Sequence, residues 1–124
     1  MFTHPPHQIT VKRRGNDMKR IINILMNEAH QTAIEHGWWD AERLPLECIA
    51  LMHAELSEAV EAIRDGNPPD KYLPQHDALT VELADCIIRI FDFAAANKLD
   101  LADALLDKME YNQGREYRHG GKVA

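Results

Sequence analysis

The chain of 124 residues has only two cysteines, Cys48 and Cys86. Each lies in an apolar helical stretch, so both read as buried free thiols of a reducing compartment. Two lone cysteines do not make a zinc site. No apolar run approaches the roughly 18 residues that a membrane-spanning helix needs. No apolar segment follows Met1-Phe2-Thr3-His4-Pro5-Pro6 that would mark a secretory leader. These absences together give the expectation of a cytoplasmic protein that does not engage a membrane. An excess of basic charge is also lacking. The net charge is −6, with 14 Lys and Arg against 20 Asp and Glu. That argues against a nucleic-acid partner, which would need a basic surface. Nucleotides stay open, because an acidic protein can hold phosphates through metal ions. No strand pattern, internal repeat or heptad array stands out.

Helical periodicity is what the chain does have. Residues 1–15 carry prolines, histidines and the basic run Lys12-Arg13-Arg14, and read as an N-terminal arm. A first helix is expected over about 17–36, with Ile21, Ile22, Leu25, Met26, Ala29 and Ala33 as its apolar stripe. Gly37 suits the position just past its end. A second helix should start near Pro45 and run to about Arg64, where Gly66-Asn67-Pro68-Pro69 stops it. A proline-rich loop of functional length follows over 65–77. The third helix, about 77–96, is apolar almost all round, as a central bundle helix would be. This makes Glu82 and Asp85 the expected buried charges. A fourth helix follows Asp100 and reaches about Tyr111 or beyond. The fold class is therefore all-α: one four-helix domain over 16–117, with a glycine-rich basic tail over 118–124.

Two acidic pairs stand out, Glu55-Leu-Ser-Glu58 and Glu82-Leu-Ala-Asp85. Residues three apart on a helix share a face. If the second and third helices pack antiparallel, the pairs can meet, since both lie at similar distances from the connecting loop. Converging carboxylates repel one another and are costly to desolvate unless a cation neutralises them. Oxygen-only ligands favour Mg²⁺, with Mn²⁺ as the alternative. The plainer reading is a set of solvated acids, with Arg89 paired to Asp85 and Arg64 to Glu61. One such pair on a helix is ordinarily that; two on consecutive apolar helices point to metal. Glu61 fits a solvent-facing position.

The run E-L-S-E-A-V-E-A-I, followed from Glu58 to Glu82 by E-L-A-D, resembles the MazG-type all-α nucleoside triphosphate pyrophosphohydrolases. The likeness covers about residues 20–115. It implies a MazG-type bundle in which Glu55, Glu58, Glu82 and Asp85 act as Mg²⁺ ligands and catalytic groups. It also implies hydrolysis of a (d)NTP to a (d)NMP and pyrophosphate, as pool control or housecleaning. Many such proteins carry a glutamate just before the first motif glutamate, where this chain has Ala54.

The segment from Lys108 to Lys122 resembles the C-terminal run of the smaller members. Lys108, Asn112 and Arg115 fall on one helical side if the helix continues, and with Lys122 they are candidate phosphate ligands. Gly120 and Gly121 would let backbone N–H groups approach an anion. Asn27, His30, Trp38 and Trp39 are candidates for a base pocket, since an aromatic face stacks a base and an amide reads its edge. His53 lies on another side of its helix from Glu55 and reads as an ordinary histidine. Four helices in so small a subunit leave an apolar face open, so a homodimer or homotetramer is expected. Two rival readings remain: a non-catalytic helical interaction module with a structural metal site, and a pyrophosphohydrolase for another substrate, such as a phosphoribosyl-nucleotide.

Overall fold

A computed structural model describes residues 6–116 and contains four helices, α1 Pro6–Glu35, α2 Pro45–Arg64, α3 Ala78–Ala96 and α4 Leu101–Gln113. No strand occurs among the described residues, only an isolated bridge between Pro69 and Asp77. The second, third and fourth helices fall where the periodicity places them. The first does not: helical backbone begins at Pro6 and takes in most of the segment read as an arm. Pro6 at the first helical position is consistent with this, because its missing N–H is one that a helix start leaves unpaired anyway. None of the helices is long and apolar enough to cross a membrane.

The chain forms two compact units, one over 25–98 and one made of the segments on either side of it. Within the flanking unit Ala102 is fully buried, and Lys19 Nζ donates to Asp103 Oδ2 at 2.8 Å. The 25–98 unit is built on α2 and α3, which run antiparallel. Cys86 Sγ donates to the Met52 carbonyl at 3.6 Å, and Arg89 reaches Glu55. The buried positions of this unit are mostly small: Cys48, Ala59, Ala62, Cys86 and Ala94, with Met26 and Met52. Both cysteines are free and buried, as their setting in the sequence suggests.

The boundaries of these elements have local causes. At the end of α1, Gly37 adopts φ +83, and the Gly37 and Trp38 amides return to Ile34 and Ala33 carbonyls. After that left-handed turn Trp39 comes back against His30 of α1. Gly66 at φ +82 closes α2 in the same way. Asp77 caps α3 by accepting from the Thr80 amide at 2.7 Å.

The 65–77 loop is held by its own polar groups. Asp70 Oδ2 accepts from the Tyr72 and Leu73 amides at 3.0 and 2.9 Å. Asn67, at φ +50, accepts from the Leu79 amide at 2.9 Å. This contact ties the end of α2 to the start of α3, and so fixes the register of the two acidic pairs. Asn67→Ala should cost about 2 kcal/mol in urea unfolding, roughly half from the lost hydrogen bond and half from a left-handed non-glycine residue. Asn67→Gly should recover the backbone half; equal losses in both variants would mean that the backbone conformation contributes nothing.

Candidate metal centre and its cleft

Three of the four sequence-predicted acids converge. Glu55 on α2 and Glu82 and Asp85 on α3 each offer a carboxylate oxygen, all within 4.8 Å of one another. Glu55 is buried and the other two are half-buried. The expectation that Glu82 and Asp85 would be the most buried charges is corrected here: that place belongs to Glu55 and to Asp92, each 8% exposed. The reason is that α3 is not surrounded within this chain, for Leu83, Ile87 and Ile88 on it remain exposed. Glu58 is exposed and stands at the edge of the triad, close enough to Glu82 to act on its proton affinity.

Charge matching in this cluster is incomplete. Arg89 Nε donates to Glu55 Oε1 at 2.7 Å, so Arg89 pairs across the helix interface and not with Asp85 one turn before it. Glu82 Oε2 is sealed from solvent and has no hydrogen-bond partner among the described residues. Burial, followed by the nearness of Glu58 and then Glu55, pushes the Glu82 carboxyl up to about 7 from its ordinary 4.5. Burial and then the Glu55 charge raise Asp85 too, against a smaller opposing pull from Arg89. A buried anionic oxygen without a donor is unfavourable unless it is protonated or takes a cation. The donor set suits a hard divalent ion: oxygen ligands only, from two rigid helices.

A cleft of about 780 Å³ adjoins the triad and lies wholly within the 25–98 unit. Glu55, Asp85 and Arg89 line one part of it, and Trp38, Arg43 and Asp92 another. The Arg43 guanidinium lies 4.8 Å from the centre of the Trp39 ring and 5.8 Å from that of Trp38. This volume is in the range of small-molecule sites, which run from about 300 to 1,000 Å³.

The base-pocket candidates divide. Trp38 lines the cleft and is well exposed. His30 and Trp39 meet edge to face, ring centres 5.5 Å apart, and both bind Asp92. Asn27 is exposed on α1 and is not among the lining residues. Among the phosphate candidates, Lys108 and Arg115 lie against the Tyr111 ring at 4.5 and 5.6 Å, and Asn112 is exposed. Lys108 and Asn112 lie one turn apart on α4, but the helix does not continue to Arg115: it ends at Gln113, and Arg115 follows the Gly114 cap. Lys122, Gly120 and Gly121 lie outside the described residues. Arg43 and Asp92 were not anticipated. Asp92 had a signal: Glu82, Asp85, Arg89 and Asp92 form one polar stripe at helical spacing on an otherwise apolar helix.

Compared with protein-family models, curated proteins and solved structures, the chain matches none.

Two outcomes follow from the charge imbalance. In metal-free protein the folded state holds a proton on Glu82 that the unfolded chain releases. Its stabilising contribution is therefore complete below pH 4.5 and lost as pH rises through about 7. Urea unfolding between pH 5.5 and 8 should show this decline in excess of that of Glu82→Gln, and saturating Mg²⁺ should abolish the excess. Parallel profiles for the two proteins would contradict the buried carboxyl. Arg89→Gln removes the cation that competes for Glu55, so calorimetric Mg²⁺ affinity should rise about tenfold. Weaker binding would mean that Arg89 positions Glu55 instead of competing with the ion.

Proposed function

We propose that this chain is a Mg²⁺-dependent pyrophosphohydrolase of MazG type that cleaves a (d)NTP to a (d)NMP and pyrophosphate. The observation that carries the reading is the orphaned Glu82 oxygen inside the acidic triad, beside a cleft large enough for a nucleotide. Glu55, Glu82 and Asp85 would hold the metal, with Glu58 at the rim. A bound divalent ion would polarise phosphoryl oxygens and acidify a coordinated water. The carboxylates supply hard oxygen ligands on helices that fix their spacing, and an oxygen of one of them can take the proton that the water loses. Water oxygen bonds to phosphorus, the bridging P–O bond between the α- and β-phosphates breaks, and pyrophosphate departs with its electron pair.

The cleft supports a flat, partly polar ligand. Trp38 offers an aromatic face, and the Trp39–His30 pair holds Asp92, which also lines the cleft. A triphosphate is strongly anionic, so an acidic wall can accept it only with cations in place, which couples substrate binding to metal. Arg89 adds one permanent positive charge where the cleft meets the triad.

A second copy of the chain belongs to this reading. Leu56, Val60 and Ile63 on α2, and Leu83, Ile87 and Ile88 on α3, are large apolar side chains left exposed. A monomer seldom leaves so many uncovered. A homodimer, or a homotetramer built from it, would cover them and complete the bundle.

The test is release of pyrophosphate from a panel of (d)NTPs with Mg²⁺. Wild type should release it and EDTA should stop it. Glu82→Gln should lose at least about 100-fold in rate while unfolding at no lower urea concentration than metal-free wild type at pH 8. Metal binding without pyrophosphate release from any nucleotide would overturn the catalytic reading and leave a structural ion site.

A further inference from the structure

The hydrolytic reading does not use Asp92, yet Asp92 shares with Glu55 the place of most buried carboxylate among the described residues. It sits on α3 and lines the same cleft as Glu55 and Asp85. Its Oδ1 is fully engaged, accepting from Trp39 Nε1 at 2.9 Å and from His30 Nδ1 at 2.8 Å. Its Oδ2 is not. Arg43 Nη1 lies 3.8 Å away, close enough for charge compensation but too far for a hydrogen bond. No other described residue donates to it. The carboxylate thus has one oxygen clamped by two stiff aromatic N–H donors, and the other left with lone pairs at a cleft wall. Unlike Glu82 Oε2, Asp92 Oδ2 is not sealed from solvent, so a ligand N–H that reaches it makes a hydrogen bond to a charged acceptor, the stronger kind.

We propose that Asp92 is a specificity residue that selects nucleobases with an exocyclic amine over uracil and thymine. This rests on the nucleotide reading of the cleft. Trp38 on the same wall suits a planar ring, and the open Oδ2 suits an amino donor at its edge. Cytosine, adenine and guanine each present such an –NH₂. Uracil and thymine have carbonyl oxygens instead, and their one ring N–H is flanked by two of them. Facing Oδ2, those oxygens would be repelled and leave it unpartnered. A site that hydrogen-bonds its ligand rejects the analogue lacking the partner more strongly than one that discriminates by shape.

Binding of dCMP, dAMP, dGMP, dTMP and dUMP to the full chain, read by tryptophan fluorescence, tests this without requiring turnover. At least one amino-bearing monophosphate should bind about tenfold or more tighter than dUMP and dTMP, the worth of one hydrogen bond to a charged acceptor. Asp92→Asn keeps an oxygen for Trp39 and His30 and replaces Oδ2 with an amide donor, so the preference should turn toward dUMP and dTMP. Dimethylation of the exocyclic nitrogen of the preferred nucleotide removes the N–H without touching the protein, and should cost a similar factor. That probe decides the matter even if the variant does not fold. A wild-type preference for uracil or thymine, or no preference, overturns the proposal. So does dimethylation without effect, or an Asp92→Asn variant that weakens all bases equally. Pyrophosphate release from all (d)NTPs at equal rates would overturn the selectivity and leave the hydrolase standing. Selective binding without hydrolysis would do the reverse.

Discussion

Carboxylates gathered where water is scarce are the constraint around which the 25–98 unit is arranged. Glu55, Glu82 and Asp85 bring their oxygens within 4.8 Å of one another, and a single guanidinium from Arg89 answers them. Like charges at that separation are unfavourable in any partly buried setting. Burial and the neighbouring carboxylates raise the proton affinity of Glu82 in answer, and Glu55 and Asp85 open onto a cleft. Stability alone would not favour such an arrangement, since apolar residues in the same positions would be at least as stable. The cluster therefore makes sense as a site.

The surrounding structure serves that convergence. Small buried residues on the two helices, Ala59 and Cys86 among them, accompany the approach of Cys86 to the Met52 carbonyl and the convergence of Glu55 with Glu82 and Asp85. The Asn67 link and the Asp77 cap hold the loop between them at one length and one register. Along α3 the same stripe passes from metal-type ligands at Glu82 and Asp85, through the cation Arg89, to the clamped carboxylate of Asp92. Asp85, Arg89 and Asp92 of this one helix all line the cleft, and Trp39 and Arg43, after α1, bear on Asp92.

Much of this was legible in the residue order. Apolar spacing located α2, α3 and α4, because Pro45, Gly66 and Asp77 give physical start and stop signals that tertiary packing did not override. The i, i+3 spacing of the acids placed Glu55, Glu82 and Asp85 together, because antiparallel pairing on either side of a fixed loop leaves little freedom. The start of α1 was not legible: prolines and basic residues suggested an arm, whereas Pro6 is compatible with a first helical turn. Burial along α3 was misjudged because a nearly all-apolar helix looks central even when part of its surface stays uncovered by its own chain. Asp92 escaped because its partners are remote in sequence: His30 and Trp39 reach it only once the Gly37 turn has folded back.

The central claim, that this cluster exists to hold a divalent cation, is tested most directly by a crystal structure of the full chain grown with Mn²⁺ and examined for anomalous scattering. The account predicts an anomalous peak bonded to oxygens of Glu55, Glu82 and Asp85 at the short distances of a hard-ion site, roughly 2.0–2.2 Å. A map with no peak there, and with Glu82 hydrogen-bonded as a neutral acid to its neighbouring carboxylates, would contradict it.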